Sequence, residues 1–192
     1  MKANKETIRK YYKYKITERS LPTFSSQAEA ISGVDGVSIS PYYIWSSVVT
    51  SLKTPVPNSA GAYYEFYFKD GAMITSLTYR GYVTADAVPC ATYRGLDAYD
   101  EANGEWISLD TSVITTTSKT IDINSAEFYK KYRIKLTGSE VSRYANMGVY
   151  TIDMSGVFRT LQESDETDYD VIEDVDVYSL SKQGIKYYGI GG

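Results

Sequence analysis

Twenty tyrosines, no histidine and a single cysteine, Cys90, set the chemistry open to this 192-residue chain. A histidine general base is excluded, and Cys90 has no imidazole in the chain to activate it. A zinc site on histidine or paired cysteine is excluded, as is an internal disulfide. No glycine-rich phosphate loop is present. Paired carboxylates could run glycoside hydrolysis, but nothing separates such a pair from ordinary surface acids. Lys10-Tyr11-Tyr12-Lys13-Tyr14-Lys15 interleaves ammonium groups with rings, a pattern able to grip phosphates and stack on bases. Protein contact is the preferred reading, and nucleic acid is not an expected partner.

The elements that must position these groups are mostly strands. Residues 58–156 break into short alternating or aromatic runs separated by Gly, Asp and Asn. Tyr63 to Phe68 is one run, ended by the turn signal Asp70-Gly71, and Ile74 to Tyr79 is the next. Ala91 to Tyr99 and Glu105 to Leu109 flank the turn Ala102-Asn103-Gly104. Thr120 to Ile123, Tyr132 to Leu136 and Gly148 to Met154 follow, the last closing at Gly156. Seven or eight such strands with little helix between them predict an all-β, antiparallel β-sandwich or jelly roll. One helix is predicted: Ser26-Gln27-Ala28-Glu29 is a capping box, and Gly33 is its stop.

Charge divides the chain into three. Residues 1–27 carry a net +5, 28–156 a net −4 and 157–192 a net −5, which sum to the chain's −4. This reads as a basic, tyrosine-rich N-terminal arm, a sandwich domain over 28–156 and an acidic C-terminal arm. The N-terminal arm fits helical and strand spacing equally. The C-terminal arm admits a strand added to a neighbour's sheet or a disordered tail. No apolar run of signal-peptide length follows Met1 and no 18-residue apolar stretch exists, so synthesis in a cytoplasm without membrane insertion is expected.

The motif order resembles the galactose-binding-like superfamily, most closely discoidin or coagulation-factor type C domains. Tyr64 to Phe68 resembles the early core strand of that family, and Ile74 to Gly81 its strand ending in glycine. Ala91 to Tyr99 with Gly104-Glu105-Trp106 is similar to its strand–turn–G-x-W hairpin. Phe128 to Lys135 resembles the aromatic-Arg-Ile strand, and Tyr150 to Gly156 the closing strand. The family's usual terminal cysteine pair is absent. The resemblance implies an eight-stranded jelly roll with ligand loops at one end. The matching stretches are Pro41 to Ser47, Tyr82 to Cys90 and Ser139 to Gly148. They hold Trp45, Tyr82, Asp86, Arg143, Tyr144 and Asn146, along with Tyr42 and Tyr43. Those types suit a sugar, whose apolar face wants an aromatic platform and whose hydroxyls want planar hydrogen-bonding groups. The same side chains could instead be core, subunit contacts or solvated loop residues. The resemblance also implies a structural calcium ion, for which Asp97, Asp100, Glu101 and Asp110 could supply oxygens, although surface turns collect such acids anyway. No other cofactor is expected.

Oppositely charged arms suggest assembly, with a basic arm of one copy lying on the acidic arm of the next. Lys10, Tyr11, Tyr12, Tyr14, Tyr187 and Tyr188 would make the contacts, since tyrosine is enriched at interfaces. The leading expectation is therefore a non-enzymatic structural subunit of a virion, a head, neck or tail component of a tailed bacteriophage assembled in the host cytoplasm. Its partners would be its own copies and other virion proteins. The alternative is a carbohydrate-binding or adhesion module recognising host-surface glycans. A glycosidase or its accessory domain is the third reading.

Overall fold

The capping box folds as its chemistry dictates. Ser26 keeps an extended backbone, its hydroxyl accepts from Glu29 N–H, and the helix stops at Gly33, whose φ is +96°. Glu29 reaches back to the Ser25 hydroxyl and amide, which holds its carboxyl below the usual carboxylate range. This is the one helix among the residues that the computed structural model describes, which are 3–40, 44–45, 52–54, 62–81, 92–114, 118–137 and 147–180. In chain order the elements are β1 (Ala3–Ser20), α1 (Gln27–Ser32), β2 (Val37–Ile39), β3 (Ile44–Trp45) and β4 (Leu52–Thr54). Then come β5 (Ala62–Gly81), β6 (Thr92–Asp100), β7 (Glu105–Asp110), β8 (Ser118–Asp122), β9 (Tyr129–Thr137), β10 (Met147–Glu163) and β11 (Val171–Leu180). No helix among the described residues is long and apolar enough to cross a membrane.

The chain forms two compact units, residues 16–160 and residues 1–15 with 161–192. In the larger, the ladder order is β10-β5-β9-β6-β7, every pairing antiparallel. The first half of β5 pairs with β9 and β2, and its second half with β10 and β8. Tyr79, in the second half of β5, meets Tyr93 of β6 ring to ring at 5.7 Å, although no ladder joins those segments. The two layers therefore face each other across one apolar core, the antiparallel sandwich expected from the sequence.

Two glycines differ from the expectation. Asp70-Gly71 does not end a strand. It lies inside the twenty-residue β5, where the ladder with β9 skips from Tyr67 to Ala72 and Gly71 has φ +101°. Gly156 likewise does not close β10. A side chain there would bring its Cβ within 2.2 Å of Met73 O, and the β5–β10 register shifts beside it. Gly71 lies in an irregularity of the β5–β9 ladder, and Gly156 lies opposite a bulge at Thr75 of β5; such irregularities bend long strands around the core. The alternation of β5 changes parity at Thr75: Tyr64, Phe66, Phe68, Ala72 and Ile74 face inward, then Leu77 and Tyr79.

Among the described residues, four of the chain's twenty tyrosines lie in that core. Tyr64, Tyr79, Tyr93 and Tyr132 are at most 1% exposed. A buried phenol needs a partner, and leaving one unpaired costs about 1–3 kcal/mol. Tyr132 donates to Ala72 O at 2.7 Å and Tyr93 to Asp110 Oδ2 at 2.9 Å. Burial pushes both phenols well above their ordinary range, and Asp110 adds to this at Tyr93.

In the smaller unit the two arms pair with each other. β1 and β11 run antiparallel from Ala3↔Leu180 to Tyr12↔Val171. Lys5 Nζ lies 2.8 Å from Asp176 and Arg9 Nε 3.0 Å from Asp174, while Lys10 and Lys13 bond to Glu163 and Asp168. Tyr11 stacks at a tilt on Tyr169, centroids 5.1 Å apart, and Tyr14 N–H donates to Asp170. The N-terminal arm is thus a strand. Its charge complement is the C-terminal arm of the same chain.

Candidate functional site

On the outer face of the larger unit, strand alternation assembles side chains far apart in sequence. In β5 the odd residues Tyr63, Glu65, Tyr67 and Lys69 face away from the core, opposite Tyr64, Phe66 and Phe68. In β9 the outward residues are Lys131, Arg133 and Lys135. Cross-strand register sets Tyr67 beside Lys131 and Glu65 beside Arg133. On the other side of β9, Asp97 pairs with Arg133, and Tyr99 sits opposite Trp106 of β7 with rings 5.2 Å apart.

The result is a row of rings interleaved with cations. Lys131 Nζ stands 4.9 Å from the Trp106 ring centre and 5.5 Å from those of Tyr67 and Tyr99, and 3.3 Å from Glu65. Arg133 lies 4.2 Å over Trp106. Such cation–ring contacts fix the long side chains and hold the rings upright. Asp97, 3% exposed, anchors the row by accepting from Arg133 at 2.8 Å and Lys135 at 2.7 Å. Burial alone would push its pKa up, and these hydrogen bonds more than offset that, so it titrates below the ordinary value.

At one end of the row is a cleft of about 560 Å³. It is lined by Tyr67, Tyr99, Glu101, Lys130 and Lys131, by Phe68 and Lys69, and by Ser32, Gly33 and Gly36 to Ser38. Ser32 belongs to α1, and Lys69 N–H donates to Gly36 O. Lys130 reaches Glu101 at 3.8 Å. Among the described residues Lys69 Nζ has no ion-pair partner, whereas Lys130 and Lys131 each have one. A smaller cleft of about 330 Å³ lies beyond the Tyr99, Glu101 and Lys130 side chains, which line both.

The residues expected to bind ligand are not among those that line the cleft. Tyr82, Asp86, Arg143, Tyr144 and Asn146 fall outside the described residues, and Trp45 is described only as backbone in β3. The acids expected to hold calcium each have partners within the protein. Asp97 serves Arg133 and Lys135. Asp100 accepts from Ala102 N–H and the Asn103 side chain in the hairpin turn. Asp110 accepts from Tyr93 and Ser112. Residues three apart on a strand face opposite ways, which separates Asp97 from Asp100. No cluster of three or more acids or cysteines able to hold a metal ion exists among the described residues. Of the arm residues, Lys10, Tyr11, Tyr12 and Tyr14 lie in the β1 strand, and Tyr187 and Tyr188 are outside the described residues.

No family model and no curated protein matches the chain. Among solved structures it is similar to family 32 carbohydrate-binding modules. One is the module of NanJ from Clostridium perfringens, in complex with galactose: 11% identity, TM-score 0.43, covering 77% of this chain and 99% of that one. A second, from the same organism, is in complex with GalNAc-β-1,3-galactose: 15% identity, TM-score 0.41, covering 73% and 94%. A third is that of EndoD from Streptococcus pneumoniae: 11% identity, TM-score 0.38, covering 53% and 78%.

Sequence reading passed over the cleft because its parts are ordinary when taken singly. Tyr67 and Lys69 read as the end of a strand and Lys130-Lys131 as surface charge. The one available signal is the alternation within Tyr63 to Lys69, which sends Tyr67 and Lys69 to one face.

Proposed function

We propose that the chain is a non-catalytic carbohydrate-binding module whose ligand seat is the cleft beside Tyr67 and Tyr99. The observation that carries this reading is the meeting of two accessible rings with Glu101, Lys69 and Lys130 in an opening of about 560 Å³. A pyranose needs an aromatic surface for its apolar face and directional donors and acceptors for its hydroxyls. The volume lies in the roughly 300–1,000 Å³ range of small-molecule sites. The reading assigns the chain no bond-making step. The arms pair with each other within one chain, so exchange between copies is not required to partner them.

A glycan array followed by calorimetry tests it. Tyr67→Ala and Tyr99→Ala should weaken binding at least about tenfold, the loss of about 1.4 kcal/mol expected from a stacked ring. Trp45→Ala and Tyr144→Ala, at the ligand positions expected from the sequence, should leave it unchanged. The reverse pattern would move the seat to those positions. No binding by millimolar sugar would end the reading.

A further inference from the structure

We propose that the cleft selects an acidic sugar, one carrying a carboxylate or a sulfate ester, and that Lys69 is the residue that reads the charge. The inference rests on the carbohydrate reading above and adds the ligand class.

Three of the four charged side chains lining the cleft are lysines, in a chain whose net charge is −4. A cationic patch on an acidic protein is a local feature that bulk composition does not supply. The three lysines are not equivalent. Lys131 is held by Glu65 and three rings, and Lys130 is shared with Glu101. Lys69 follows Tyr67 by two residues and so shares its outward face, and its ammonium meets no carboxylate within ion-pair distance among the described residues. The nearby acid on the facing loop, Asp35, is turned to Arg19, which also donates to its carbonyl at 2.6 Å. Gly36 lies over Lys69, where a side chain would touch the Lys69 Cβ at 3.5 Å, so the missing side chain keeps the stem uncovered. A neutral sugar would leave this ammonium facing water. An anionic substituent gives it a charge-assisted hydrogen bond while the ring stacks on Tyr67 or Tyr99.

The test is calorimetric titration of the full chain with three probes of matched length: a galacturonic acid oligosaccharide, a sulfated galactose oligosaccharide and an uncharged galactose oligosaccharide. The expected result is that an acidic probe binds at least about tenfold tighter than the uncharged one. Lys69→Gln should weaken the acidic probe about tenfold, toward the level of the uncharged one, and weaken the uncharged one less. Lys69→Arg should restore the acidic affinity, and about 0.5 M salt should erase the preference. The two acidic arms identify which group is read. Equal binding of charged and uncharged probes, or Lys69→Gln without effect on the acidic ones, overturns the proposal. If Tyr67→Ala still abolishes the uncharged binding in that case, the carbohydrate reading stands without it. Silence from all three probes overturns both.

Discussion

Asp97 shows how one outer-face residue organises the sheet beneath the cleft. It is a carboxylate 3% exposed, held between Arg133 and Lys135. Its partners keep partial solvent contact, so Asp97→Asn should cost about 1–3 kcal/mol rather than the larger penalty of a fully buried pair. The pH dependence follows from the depressed carboxyl. A group whose folded pKa lies below its unfolded value, about 3.9, stabilises the fold above that value and loses the contribution as pH falls through the folded pKa. Arg133 and Lys135 stay charged throughout this window. Urea midpoints measured from neutral pH down to about pH 3 should therefore show wild type converging on Asp97→Asn below about pH 4. A constant gap between them would mean that Asp97 matters for shape and not for charge.

At the scale of elements, the glycines at ladder irregularities decide how long strands bend. The Cβ of an alanine at 156 would collide with backbone, Met73 O at 2.2 Å and Ile74 Cα at 2.9 Å, which cannot move without displacing β5. At 71 it would meet the mobile end of Arg159 at 2.9 Å, and the φ of +101° supplies the strain. Gly156→Ala should therefore lower the melting temperature more than Gly71→Ala, by a strain of about 1–3 kcal/mol or more. An equal loss at both sites would contradict the bulge geometry. The same two glycines mark what the sequence could show. The capping box at Ser26 and the hairpin at Ala102-Asn103-Gly104 were legible because their partners lie within four residues. A glycine at a ladder irregularity and a turn glycine look alike locally, and only the ladder partners, about eighty residues away in the case of Gly156, tell them apart. The cleft was illegible for a related reason. Tyr67, Tyr99 and Lys131 converge through two registers that no local pattern sets. Ser26→Ala should speed amide exchange in α1, through the loss of about 0.5–2 kcal/mol of capping, and so loosen the α1 part of the cleft lining.

For the whole molecule, the question is whether the arms join copies or close on themselves. The ladder from Ala3 to Tyr12 against Val171 to Leu180 joins a basic strand to an acidic one, with Arg9 and Asp174 directly opposite. The charge asymmetry read from the sequence was correct, and the inference that it implied assembly was not forced by it, because a strand of either copy satisfies the same pairs. Concentration separates the two cases. Ends tethered in one chain meet at an effective concentration on the order of millimolar, so micromolar protein should stay closed as a 21.5 kDa monomer in light scattering. The pairs are solvent-exposed, so each is weak and salt-sensitive, and β11 amides should exchange faster in about 0.5 M salt. Charge reversal gives the sharper test. Arg9→Glu and Asp174→Arg should each speed β11 exchange, and the double variant should restore protection within one chain. Mixing the two single variants discriminates further. Exchange between copies would set the introduced glutamate of one variant against the introduced arginine of the other, and the native Arg9 against the native Asp174, restoring both ladders in a dimer. Closure within each chain leaves both variants fast-exchanging monomers after mixing, which is the outcome expected from the pairing in this structure.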